Sequence, residues 1–193
     1  MEFGHLEVGS KPAPGTLRVV QAFVNTVDLE AGIDELATPE ALAAWLERAR
    51  LPQPESPSQA DLAPAIEFRE ALRRLLLAKH EGGADTEAQE VLNRAAAHSG
   101  LSLRFDERGE ASLTPSGTGL DAALGVLLTY VLEAMNGGTW DRLKVCRRRE
   151  CLWAFYDHSR NRSGNWCTMA VCGNRTKVKS YRQRTAGARR KAS

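Results

Sequence analysis

The stretch Trp166-Cys167-Thr168-Met169-Ala170-Val171-Cys172-Gly173-Asn174-Arg175 decides how the chain folds, because its Cys-x4-Cys pair answers an earlier one, Cys146-Arg147-Arg148-Arg149-Glu150-Cys151. Fifteen residues separate the two pairs, and the 193-residue chain has no other cysteine. A terminal segment of 53 residues rarely buries enough apolar surface to offset its conformational entropy, so it needs a staple. Tetrahedral Zn²⁺ takes four thiolates at about 2.3 Å, and two close pairs from separate stretches supply them without ordering a large loop. Such binding contributes on the order of 10–16 kcal/mol to folding. Two disulfides or a reversible thiol switch are the alternatives, since nearby cations lower a thiol's pKa and favour metal binding and oxidation alike. Residues 1–15 lack the charged start and apolar run of a secretory signal, so reduced cysteines and a cytoplasmic location are expected. His158 stands alone in a polar loop, with no fifth cysteine at ligand spacing, so the zinc site reads as closed and structural.

Charge divides the chain at the same place. Residues 1–140 hold 11 Lys+Arg against 21 Asp+Glu, a balance of −10, whereas residues 141–193 hold 15 against 3, a balance of +12. The overall +2 hides an acidic body carrying a basic module that faces polyanions. The hydrophobic share of 42% and charged share of 26% are those of an ordinary globular protein. The longest nearly unbroken apolar stretch, residues 124–132, is far short of the roughly 18 residues a bilayer crossing needs.

Working toward the N-terminus, residues 122–135 are apolar around nearly the whole circumference of a helix capped by Thr118 and Asp121, which places that helix centrally. Leu101, Leu103 and Phe105, a turn at 106–109, and Ala111 with Leu113 alternate as a β-hairpin does. A helix opened by Thr86, with Gln89 completing a capping box, closes at Gly100. Helical spacing runs over 62–79, the proline-bearing stretch 52–60 is a loop, and Thr38-Pro39 starts a helix carrying Leu42, Trp45, Leu46 and Ala49 on one face. Leu17, Val20, Val24 and Val27 recur at helical spacing behind an arm of about sixteen residues. Arg18, Gln21, Asn25 and Asp28 then form that helix's polar, exposed line.

In the basic segment, residues 152–156 read as a strand and the second cysteine pair opens a helix that runs to about Arg184. Ligands from a loop plus ligands from a helix start describe a treble-clef or zinc-ribbon arrangement. Val171, Val178 and Tyr181 are expected to pack onto the strand opposite Trp153 or Phe155. The fold expected is thus mainly α with a small β-hairpin, followed by a treble-clef or zinc-ribbon-like finger. Its parts are an acidic helical domain at 1–138, the four-cysteine finger at 139–185 and a basic, disordered tail at 186–193.

The run from Trp166 to Arg175, with Lys177 beyond it and Cys146-x4-Cys151 before it, closely resembles the CGNR zinc finger. Phe23-Val24-Asn25-Thr26-Val27-Asp28, the helix around Trp45 and Arg69-Glu70-Ala71-Leu72-Arg73 resemble the ABATE domain that usually precedes that finger. The resemblance implies a bacterial stress-related transcription regulator with one structural zinc and a mainly helical, ligand-sensing N-terminal domain.

Arg147, Arg148, Arg149, Arg175, Lys177, Lys179, Arg182 and Arg184 are the candidate nucleic-acid contacts, since neutralised phosphates and released counterions supply most of such affinity. Arg142, Lys144, Arg160 and Arg162 offer further cationic surface. Arg175 has a second role open to it, pairing with the thiolate cluster. Arg69 interrupts the apolar line of Leu62, Ala65, Leu72 and Leu76, so it demands a carboxylate or a bound anion. The resemblance adds Asn25 and Thr26 as residues lining a pocket, so Asn25, Thr26 and Arg69 are the candidate contacts of a small anionic effector. DNA is the expected partner, without a membrane and without catalysis. An RNA-binding or protein-interaction adaptor, with Trp166 stacking a base, and a thiol-based redox sensor are the alternatives.

Overall fold

The structure is a computed structural model and describes Leu6 and residues 9–178. About half of it is helical, with three small antiparallel strand pairs. Helix α1 (Leu17–Val24) is the innermost element, with every residue but Arg18 buried. A two-residue strand pair, β1 (Val27–Asp28) and β2 (Ile33–Asp34), follows it and has no counterpart in the sequence expectations. Helix α2 (Pro39–Arg48) begins as the Thr38-Pro39 signal predicts: the Thr38 hydroxyl accepts from the Ala41 N–H at 3.2 Å. It delivers Trp45 edge-on to Phe23, ring centres 5.2 Å apart, while Phe68 closes on the same ring from 6.0 Å.

Helix α3 (Gln59–Glu81) is the long brace of the molecule, opened by a Ser58–Asp61 capping box and ended by Gly82 in the left-handed region. Helix α4 (Thr86–Ser99) packs on α3 and on helix α5 (Gly119–Asn136). Its cap is Asp85 rather than Thr86. The Asp85 carboxylate accepts from the Ala88 N–H at 2.9 Å and is held by Arg74 at 2.7 and 2.8 Å, so the better acceptor one residue upstream wins. Strands β3 (Ser102–Phe105) and β4 (Ala111–Thr114) form the expected hairpin, with Leu103 and Phe105 exposed. The first half of α5 is central, but its C-terminal half exposes Leu132 and Met135.

In the basic segment a 3₁₀ turn (Trp140–Arg142) leads into β5 (Leu143–Val145), which pairs with β6 (Ala154–Tyr156) in the register Leu143↔Tyr156. This hairpin does not stand apart from the body. Leu143, Val145, Ala154 and Tyr156 belong to the same buried cluster as Trp45, Leu72 and Leu127, with β5 against α3 and β6 against α1. The Lys79 ammonium, at the end of α3, donates to the carbonyls of Trp140 and Leu143, the latter at 2.9 Å, and burial pushes its pKa down to about 8. The N-terminal arm runs along the outer edge of β6, where the Lys11 carbonyl accepts from the Tyr156 N–H at 3.0 Å. After Thr168 the chain makes a π-helical turn (Met169–Gly173) and continues as α-helix over 174–178. Val171 and Val178 are exposed instead of covering the strand, whose Ala154 and Tyr156 are buried in the core of the body. Tyr181 and the basic tail at 186–193 lie outside the described residues.

Candidate metal centre and its basic surroundings

The two cysteine pairs come together through two local devices. Cys146 ends β5 with its N–H on the Trp153 carbonyl at 2.9 Å, and the intervening knuckle closes where the Cys151 N–H donates to Arg148 at 2.8 Å. Leu152, at φ +47°, turns the chain back into β6. Of the second pair, Cys167 stands just before the π-helical turn and Cys172 lies on it, so the turn brings Cys172 round to face Cys167.

All four sulfurs lie within 4.8 Å of one another, with Cys151–Cys167 at 3.7 Å and Cys167–Cys172 at 3.6 Å. A tetrahedron with metal–sulfur bonds of about 2.3 Å has edges of about 3.8 Å, so these spacings match a zinc site. Disulfides need about 2.05 Å, and all four cysteines are free. The proton arrangement supports the same fit. The Cys151 and Cys167 thiols hydrogen-bond to Cys146 and lower its pKa, and the same hydrogen bonds raise their own. A divalent cation favours the thiolate form of cysteine ligands. Four thiolates fill a tetrahedral shell, so the ion is structural. His158 stays outside, its Nε2 3.1 Å from the Pro12 carbonyl.

The arginines around this centre have different tasks. Arg148, 13% exposed at its side chain, lies against the Cys172 sulfur. Burial works against its charge, but that sulfur and Glu30 more than offset it and its pKa is raised. Arg175 instead pairs with Glu30 of the body. Arg147 and Arg149 are exposed and, with Arg148, Glu150, Arg175 and Thr176, line a groove of about 380 Å³. Lys177 is exposed one residue beyond, whereas Lys179, Arg182 and Arg184 lie outside the described residues.

Two cations that read as phosphate contacts are internal ties. Lys144 is buried against Asp157 at 2.8 Å, and Arg142 donates to the carbonyls of Asp157 and Ser159 at 2.9 Å each. Asp157 also accepts from the N–H groups of Ser159 at 3.0 Å and Gly164 at 2.7 Å. Burial alone would raise its carboxyl, but Lys144 and these bonds hold it well below the usual range. The knot fixes the loop that returns the chain to Cys167. A Cβ on Gly164 would stand 2.9 Å from the Asp157 carboxylate, so any side chain there would push that carboxylate aside.

The polar line of α1 is not exposed at its centre. Gln21 and Asn25 are buried, and both address the edge of β6. Asn25 accepts from the Ala154 N–H at 2.7 Å and donates to its carbonyl at 2.9 Å. Gln21 donates to the carbonyls of Lys11 at 3.0 Å and Ala154 at 3.1 Å, and accepts from the Ala13 N–H at 2.7 Å. The Thr26 hydroxyl donates to the Phe23 carbonyl at 2.9 Å and accepts from Arg69 at 3.2 Å. Arg69 finds its counter-charge within the protein: Asp34 takes it through both oxygens, at 2.7 and 2.9 Å, and Glu70 takes Nε at 2.9 Å. Glu70 also holds the buried Arg73 at 2.5 Å. The polar groups of Asn25, Thr26 and Arg69 that bore the effector expectation thus bond to protein partners. The contacts of Gln21, Glu30 and Asp157 have no signal in the sequence, since each bonds to a partner distant in the chain or across a loop.

A helical body fused through a common core to a four-cysteine knuckle with a short helix defines the class, a zinc-finger protein. Comparison with known families agrees. Residues 17–138 match ABATE, described as "Putative stress-induced transcription regulator", and residues 142–185 match the CGNR zinc finger. The chain belongs to the ABATE family and carries a CGNR zinc finger with one structural zinc ion. Among curated proteins no relative matches it. No described helix is long and apolar enough to cross a membrane.

Proposed function

We propose that the chain is a DNA-binding transcription regulator whose zinc-stapled segment meets the phosphate backbone while the helical body governs access to it. The observation that carries this reading is the ring of cations on one groove beside the metal: Arg147 and Arg149 exposed on the knuckle, Arg175 on the following helix and Lys177 next to it. Their segment has a balance of +12 and the body one of −10, so a polyanion is drawn to one end of the molecule only. Lys179, Arg182 and Arg184 extend the series in sequence. Duplex DNA is favoured over unpaired RNA because Trp153 and Trp166 are half-buried rather than presented for stacking. With four sulfur ligands the zinc keeps no open position for a substrate, which makes this a binding site.

The test is the salt dependence of binding of the full zinc-loaded chain to a mixed-sequence duplex. Neutralising Arg147, Arg149 and Lys177 to Gln should weaken binding and flatten the log–log slope by roughly 0.9 for each phosphate left without its cation. Unchanged affinity and slope would remove this face from the interface. Competition with single-stranded RNA at equal salt decides between the two polymers.

A further inference from the structure

Glu30 stands at the tip of the β1–β2 hairpin and is aimed by Asp28. The Asp28 carboxylate accepts from the N–H groups of Glu30 at 2.9 Å and Ala31 at 3.0 Å, and its carbonyl accepts from Gly32 at 2.8 Å. Gly32, at φ +68°, lets the turn close. The carboxylate so presented leaves the body and lands on the finger, where one oxygen accepts from Arg148 and the other from Arg175. Each guanidinium takes one oxygen.

A backbone phosphodiester has the same charge of −1 and the same two free oxygens, and paired arginines hold it in the same manner. Arg148 is mostly buried, so its charge needs an anion at all times. Among the described residues its buried Nε has no hydrogen-bond partner, and Arg148 is one of the residues lining the groove. Glu30 and Arg175 remain 41% and 57% exposed, so solvent and an incoming anion both reach the contact, and pairs of this exposure are held weakly.

We propose that Arg148 and Arg175 form a site for one nucleic-acid backbone phosphate, and that Glu30 is its internal occupant, a plug carried by the body that DNA must displace. This rests on the DNA-binding reading and adds its regulation. Arg147 and Arg149 make the first contacts, and the phosphate reaches the inner pair only as Glu30 withdraws. Any event that shifts the β1–β2 hairpin then alters affinity at the finger.

The experiment measures duplex binding of the full zinc-loaded chain by fluorescence anisotropy at low salt. Glu30→Gln should tighten binding about three- to tenfold, the range expected from removing a half-exposed carboxylate that competes for Arg148 and Arg175. Glu107→Gln, on the exposed β3–β4 turn, changes the net charge equally and should shift affinity less than about twofold. Adding Arg175→Gln to the Glu30→Gln chain should erase the gain. Zinc content and circular dichroism verify the fold, and Glu30→Asp, one methylene too short to bridge both arginines, provides the same readout should Glu30→Gln not fold. If Glu30→Gln and Glu107→Gln behave alike while Arg147→Gln and Arg149→Gln weaken binding, the plug is wrong and the interface stands. If the gain survives removal of the Arg175 guanidinium, the shared site is wrong. Binding by Glu30→Gln where the unaltered chain has none supports the plug in its strongest form, and failure of both to bind overturns the plug and the DNA reading together.

Discussion

The side-chain amide of Asn25 satisfies both backbone groups of Ala154, 129 residues away, accepting at 2.7 Å and donating at 2.9 Å. Helix α1 thus supplies the edge of β6 with the hydrogen bonds that a neighbouring strand would give, and the body grips the finger by its backbone. Gln21, one turn earlier, adds a second donor to the same carbonyl.

Asn25→Ala should therefore leave a buried N–H unpaired and destabilise the protein by about 2–3 kcal/mol. Urea unfolding with the zinc-loaded protein measures the effect. A change below about 0.5 kcal/mol would mean that the finger is held by its apolar packing alone.

Removing the zinc should unravel only part of the finger. The knuckle and the segment from Cys167 to Cys172 carry the metal ligands, whereas β5 and β6 are anchored by the common core, Asn25 and Lys79. Hydrogen exchange after chelation should rise over 146–152 and 167–176 and stay slow over 143–145 and 154–156. Rapid exchange in the strands as well would show that the metal holds the whole segment.

Acid should act through Asp34. Burial raises its carboxyl, yet the bonds from Arg69 and the Leu36 N–H outweigh this and lower the pKa in the folded state. The folded chain then binds fewer protons than the unfolded one, whose carboxyl titrates near about 3.9. Its stabilisation is complete above that value and is lost as pH falls through the lower folded pKa. Asp34→Asn should be less stable at pH 7, and the gap should narrow as pH falls below about 3.9, as followed by urea midpoints. Both chains carry the same zinc ligands, so metal release cancels, and parallel curves would deny the pair any role.

Gly164→Ala tests the loop that precedes the second cysteine pair. The added methyl would stand 2.9 Å from the Asp157 carboxylate and push it off Lys144, leaving a buried ammonium short of its partner. A destabilisation of about 1–3 kcal/mol is expected, together with weaker zinc retention in a chelator titration. Full stability would show that the loop has room to shift.

The metal site is legible in the sequence because its ligands are close together and of a single type, so spacing alone carries the chemistry. The helices are legible from caps and periodicity, except where Asp85 outcompetes Thr86 as an acceptor. Asn25 and Gln21 read as exposed because a polar residue on a helix looks solvated until the strand it serves is placed beside it. Arg69 announces a need for an anion by breaking an apolar line, but nothing local identifies Asp34, 35 residues earlier. Lys144 and Arg148 count as surface charge in the sequence because burial is a property of the assembled molecule. Glu30 carries no sequence signal, for an acid in an acidic body is unremarked until its partners appear.

The unbroken core running from Trp45 to Tyr156 joins the finger to the body without a hinge. Torque from a bent or twisted polymer would have no slack linker in which to dissipate, and would arrive in α1 and α3 as mechanical load.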